Sequence, residues 1–159
     1  MMRIIAAVAA MGLMSLPLWA QAVSVKDETD RFTGLRSVSW STVPSSPEAF
    51  TFNTYAYLPE GQSAKYLVEL LTWGDEGRYR RCNFVNWLVD GQRATDLEAT
   101  YASSSAGSAT IERFTINLDR KAIEKLATAK SVEYKVCGDE GAIRADDLEG
   151  LRQVLSATK

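Results

Sequence analysis

The sequence predicts an α+β fold: a mainly antiparallel β-sheet, either a single twisted sheet or a two-layer sandwich, with two C-terminal helices packed on one side or end. Three observations lead there. Several runs alternate apolar and polar residues and stop at Gly, Pro or Asp turn signals. Apolar stripes at helical spacing occur only twice, both in the last third of the chain. No helical segment separates the earlier strands, so turns join them and neighbours run antiparallel.

The elements begin with a leader. Residues 1–22, MMRIIAAVAAMGLMSLPLWAQA, carry one Arg (Arg3), an uncharged apolar run over residues 4–13, and Ala20 and Ala22 in small-x-small spacing. This is the pattern of a cleaved secretory signal peptide. A membrane span needs about 20 apolar residues; this run is shorter, and Pro17 interrupts it. Residues 23–159 are then expected to form a single exported α+β domain, periplasmic or secreted, with no stable membrane insertion. The formal charge of the chain is −2, and losing Arg3 makes it one unit more negative. Charges of both signs are interspersed, so nothing draws the protein to nucleic acid.

Residues 23–31 are polar and read as a loose lead-in. GLRSVSWSTV (residues 34–43) is rich in Val, Trp, Ser and Thr and reads as a strand ended by the two prolines of VPSSPE. In AFTFNTYAYL (residues 49–58), Phe50, Phe52, Ala56 and Leu58 share one face, with Thr51, Asn53, Tyr55 and Tyr57 on the other. KYLVELLTW (residues 65–73) is short and bounded by glycines, which favours a strand over a helix. RYRRCNFVNWLV (residues 78–89) continues the sheet and ends at the Asp90–Gly91 turn signal. DLEATYA (residues 96–102) is the expected return strand, and SSSAGSA (residues 103–109) a flexible loop. TIERFTINL (residues 110–118) is a strand. Asp119 is placed to cap a helix carrying Ala122, Ile123, Leu126 and Ala127 on one stripe. SVEYKV (residues 131–136) is the last strand, with GDEG as its turn. Asp146 is the expected cap of a final helix with Leu148, Leu151, Val154 and Leu155 buried; Gly150 inside it costs about 1 kcal/mol of helix propensity.

Chemistry is limited by what is missing. The chain has no histidine, which removes Ser-His-Asp and Cys-His catalysis. No nucleophile elbow, phosphate-binding loop or dinucleotide fingerprint is present. The only two cysteines, Cys82 and Cys137, lack redox C-x-x-C spacing and are expected to form a structural disulfide in an oxidising compartment. In the chain-entropy model such a bridge contributes about 4 kcal/mol.

The tetrapeptide GDEG occurs twice, at residues 74–77 and 138–141, each near one cysteine. If the flanking strands are antiparallel, Asp75, Glu76, Asp139 and Glu140 approach one another as an acidic site. Calcium takes six to eight oxygens, with loop ligands alternating at positions 1, 3 and 5. GDEG is too short for that spacing. The expected reading is a pair of turns neutralised by Arg78, Arg80 and Arg81, with no metal and no cofactor.

Aromatic residues supply the remaining candidate. Tyr55 and Tyr57 face away from Phe50 and Phe52, Trp73 adjoins the first acidic turn, and Tyr79 lies between Arg78 and Arg80. Trp, Tyr and Arg dominate binding hot spots. Tyr55, Tyr57, Trp73, Tyr79 and Arg80 are therefore the candidate binding surface. The sequence points to a small exported, non-catalytic protein that binds a protein or cell-envelope component. The alternatives are a carboxylate-dependent envelope hydrolase and a carrier holding an apolar lipid between sheet and helices.

Overall fold

The computed structural model describes residues 24–159; the signal peptide expected over residues 1–22 lies outside the described residues. In chain order the elements are β1 (Lys26–Thr29), β2 (Arg36–Trp40), β3 (Thr51–Leu58), β4 (Lys65–Gly74), β5 (Val85–Val89), β6 (Gln92–Arg93), β7 (Thr100–Ala106), β8 (Ala109–Leu118), α1 (Arg120–Thr128), β9 (Val132–Val136), β10 (Asp139–Ala142) and α2 (Ala145–Ala157). They form two antiparallel sheets and two helices. The larger sheet runs β1-β2-β3-β4-β8-β7 and the smaller β10-β9-β5-β6. This is the α+β, mainly antiparallel fold expected, with the strands divided between two sheets of unequal size.

The alternation in β3 decides which face of the larger sheet is inside. Phe52 sits opposite Leu70 of β4, which sits opposite Phe114 of β8, and all three are buried. Aromatic contacts carry this core into the smaller sheet. Phe52 meets Trp87 of β5 at 6.4 Å between centroids, and Phe50 meets Tyr134 of β9 edge-on at 5.2 Å. Such tilted and edge-on pairs each add about 1 kcal/mol beyond the area they bury. The helices complete the cover. Leu148, Leu151, Val154 and Leu155 of α2 are buried against β2 and β3, and Ile123 and Leu126 of α1 are buried beside them.

Asp119 caps α1 as expected, its carboxylate accepting from the Ala122 amide at 2.7 Å. α2 begins differently. Arg144 occupies the N-cap position without a side-chain bond, and Asp146 lies exposed in the first turn beside Arg144. The reason is Asp147, which is buried and accepts from Trp40 Nε1 at 3.3 Å. Trp40 also explains Gly150. A Cβ at that glycine would stand 2.1 Å from Trp40 Cδ2, so the indole lies directly on the helix backbone.

Five other readings are corrected. The second GDEG is mostly strand rather than turn: Asp139, Glu140 and Gly141 lie in β10, paired with β9, and the turn is at Cys137 and Gly138. The polar lead-in contains β1, an edge strand paired with β2. Residues 78–84 are not strand; β5 starts only at Val85 and belongs to the smaller sheet. After the Asp90–Gly91 turn, where both residues have positive φ as a two-residue type I′ hairpin requires, the return strand is β6, not residues 96–102. The Ser-rich segment is no loop: β7 runs through it to a tight turn at Gly107, φ +63, a hairpin position that glycine fills without strain.

The disulfide joins Cys82 to Cys137 across 55 residues, with Cα atoms 5.8 Å apart. Val85 pairs with Val136 in the β5–β9 ladder, so the two cysteines lie just beyond the same end of that antiparallel pair.

Asp147 gives the fold a pH dependence. Burial pushes its carboxyl above the ordinary Asp value, against the Trp40 bond and the Arg144 charge. The sign follows from linkage. An acid with a raised folded-state pKa contributes stability that is present below its unfolded pKa and lost as pH rises through the folded value. The free energy of unfolding of Asp147→Asn, relative to the wild type, is therefore expected to shift in favour of the variant as the pH rises from about 4 to about 7. Urea unfolding at the two pH values checks this; an unchanged difference would mean that Asp147 titrates as in the unfolded chain.

Candidate functional site

The face of the larger sheet opposite the core is the candidate site. Its rows follow from the register. Ser39, Tyr55, Leu67 and Asn117 make one row across β2, β3, β4 and β8. Asn53, Glu69 and Thr115 make the next, then Thr51, Leu71 and Arg113, then Trp73 and Ile111. Tyr57 stands at the far end between Ser37 and Lys65. Among the described residues no helix and no strand of the smaller sheet packs on this face; the segment between β2 and β3 touches one part of it, where the Thr42 amide bonds Asn53 Oδ1 at 2.8 Å.

At its centre lies a carboxylate. Glu69 is buried, with Arg113 Nε 3.7 Å from Oε2. Burial pushes its carboxyl up, while the Arg113 charge and a bond from Asn53 hold it down. Leu67 and Leu71 flank it along β4, and half-buried Tyr55 lies diagonally across from it. The phenol of Tyr55 is itself pushed up, by burial first and by the Glu69 charge second.

The five aromatic and Arg candidates do not form one cluster. Tyr55 and Tyr57 share one end of the face, Tyr57 being 37% exposed. Trp73 lies on the same face at the other end. Counting along β4 from Leu67, which pairs with Tyr55, it is about 20 Å away at the ordinary strand rise. Tyr79 is elsewhere. It is buried on the core side, 5.5 Å from Phe114 between ring centroids and 5.7 Å from Phe50. Arg80 is exposed and folds back over Gly77, where a Cβ would meet its Nε at 2.7 Å. Residues 78–84 lie outside any strand, so the alternation expected over residues 78–89 does not set the direction of Tyr79.

The two GDEG segments meet through a cation rather than around one. Arg78, directly after the first, pairs with Asp139 of the second at 2.7 Å and with Glu48 at 2.9 Å. Tyr79 donates its hydroxyl proton to the same Asp139 oxygen at 2.6 Å. Burial first, then that bond, pushes the Tyr79 hydroxyl well above the usual phenol range. Glu140 pairs with Lys135 across the β9–β10 hairpin, while Asp75 and Glu76 are exposed. Among the described residues, no group of three or more acidic or sulfur side chains is placed to hold a metal ion.

Sequence reasoning passed over Glu112, which orders this region. It is 2% exposed and accepts from the Arg78 amide at 2.9 Å, the Tyr79 amide at 2.9 Å and the Tyr101 hydroxyl at 2.6 Å. The available signal was its place on the same side of β8 as Phe114 and Ile116, where a charge must find partners.

Comparison with protein-family models, with curated proteins and with solved structures found no match. The disulfide, and the lack among the described residues of any helix long and apolar enough to cross a membrane, are compatible with an exported protein.

Proposed function

We propose that the protein is exported to the periplasm or beyond and acts without catalysis, binding another protein through the open face of its larger sheet. One observation carries this reading. The face presents Tyr55 and Tyr57 beside Leu67 at one end and Trp73 beside Ile111 at the other, with Leu71 between. Tyr57 is exposed and the others partly buried, and among the described residues no helix and no strand of the smaller sheet covers them. Aromatic anchors separated by about 20 Å suit a broad macromolecular surface better than a small ligand, which is bound in a concave pocket. The leader over residues 1–22 and the disulfide support an oxidising compartment.

The test places a photo-crosslinking residue at Tyr57, or as a control at the exposed Glu149 on α2, in the tagged protein expressed in its native host. One protein species crosslinked from position 57 and not from position 149 is the expected result. Equal yield from both positions, or no protein from position 57, would overturn the assignment of the face. Tyr57→Ala and Trp73→Ala are each expected to weaken capture at least tenfold, about 1.4 kcal/mol. Thermal unfolding should move by no more than a few degrees, which separates lost binding from lost folding.

A further inference from the structure

The four outer edges of the two sheets are not alike. β1, at one edge of the larger sheet, is four residues long and carries Lys26, Asp27 and Glu28. In the smaller sheet β6 has two residues, and β10 has four, with Asp139 and Glu140 among them. Shortness and charge are how sheet edges are kept from pairing with other chains. β7 has neither. It is seven residues long, TYASSSA, uncharged and without proline, and pairs only with β8. Residues 102–106 are all exposed. Half of its backbone N–H and C=O groups therefore point outward with no strand to receive them.

Cations flank this edge on both faces of the sheet. On the open face Arg113 reaches across from β8, its Nη1 donating to Ser104 Oγ at 2.9 Å. On the core face Glu112 Oε1 accepts from both the Tyr101 hydroxyl at 2.6 Å and the Tyr79 amide at 2.9 Å, which brings the next residue, Arg80, to the Tyr101 end of β7. Arg80 is exposed and forms no ion pair among the described residues.

We propose that β7 is a docking edge that receives an extended acidic strand of a partner protein by β-addition. Main-chain hydrogen bonds to β7 supply the attachment. Successive side chains of a strand point to opposite faces, so two adjacent acidic residues on the incoming strand meet Arg113 on one face and Arg80 on the other. The same charges argue against a second copy of this chain as the occupant. Two β7 strands paired antiparallel would bring the arginines of one copy beside those of the other, and like charges at close quarters oppose association. This inference stands apart from the aromatic face, because β7 can take a strand whether or not Tyr55, Tyr57 and Trp73 bind anything.

The test uses the disulfide-intact protein and three end-capped heptapeptides. The first is Thr-Val-Thr-Glu-Glu-Thr-Val, the second carries Lys for both Glu, and the third is the first with alternate backbone nitrogens methylated. Amide hydrogen exchange and NMR shifts of β7 are followed during titration. The acidic peptide is expected to protect the outward amides of β7, with the Lys and N-methylated peptides at least tenfold weaker. Arg80→Glu should reverse the preference between the Glu and Lys peptides. Equal binding of all three peptides, or no protection of β7 at millimolar acidic peptide, would overturn the proposal. So would protection of β7 that rises with protein concentration alone, which would assign the edge to a second copy.

Discussion

Replacing Glu112 by Ala is expected to cost about 4 kcal/mol of unfolding free energy. Three donors converge on this buried carboxylate: the amides of Arg78 and Tyr79 and the hydroxyl of Tyr101. Each loses its acceptor in the variant, and a donor left buried without one costs about 1–3 kcal/mol. A domain of this size has only about 5–15 kcal/mol in hand, so the loss is a large share of the total. Glu112→Gln keeps one acceptor oxygen and is expected to fall about midway. Urea unfolding of the disulfide-intact proteins measures both. A Glu112→Ala midpoint within experimental error of the wild type would show that the disulfide and the Arg78 ion pairs alone hold residues 77–82.

Gly150→Ala tests the opposite intuition. In an exposed helix this change stabilises by about 1 kcal/mol, because alanine is the better helix former. Here the added Cβ would lie 2.1 Å from the Trp40 ring, far inside any tolerated approach. Trp40 is buried and bonded to Asp147, so it cannot swing out of the way without breaking that bond. Overpacking of this kind costs about 1–3 kcal/mol and occasionally more. We expect Gly150→Ala to be less stable than wild type by about 2 kcal/mol, with Trp40→Phe partly restoring it in the double variant. A stabilised Gly150→Ala protein would refute the close packing of α2 on β2.

Both sites show where sequence reading stops. The inward and outward sides of β3 were legible, because Phe52 and Ala56 alternate with Tyr55 and Tyr57 over a strand whose period is fixed at two. The α1 stripe and its Asp119 cap were legible for the same local reasons. The start of α2 was not. Asp146 is a good capping residue in isolation, but the neighbouring Asp147 is drawn into the core by Trp40, which lies in β2 over a hundred positions earlier in the chain. β7 was hidden because its Ala and Ser residues show no alternation, and only pairing with β8 makes them a strand. Tyr79 lies outside any regular element, so no periodicity indicated that it would turn inward to Phe114. Glu69 was visible as a residue but not as a buried one, since its burial comes from side chains on three strands.

The strand order of the larger sheet also sets a sequence of events. β1 to β4 are joined consecutively and pair as neighbours, so they can zip together with short loop closures. β4 finds its other neighbour, β8, only after the chain has passed through β5, β6 and β7. Closing that long excursion fixes chain entropy before the β4–β8 ladder returns any stability, and such non-local pairing slows folding. The β1–β4 meander is thus the natural early nucleus, and docking of the β7–β8 hairpin onto β4 the natural late step. Core substitutions at Phe114 of β8 should then act mainly on the unfolding rate, and those at Val38 of β2 mainly on the folding rate.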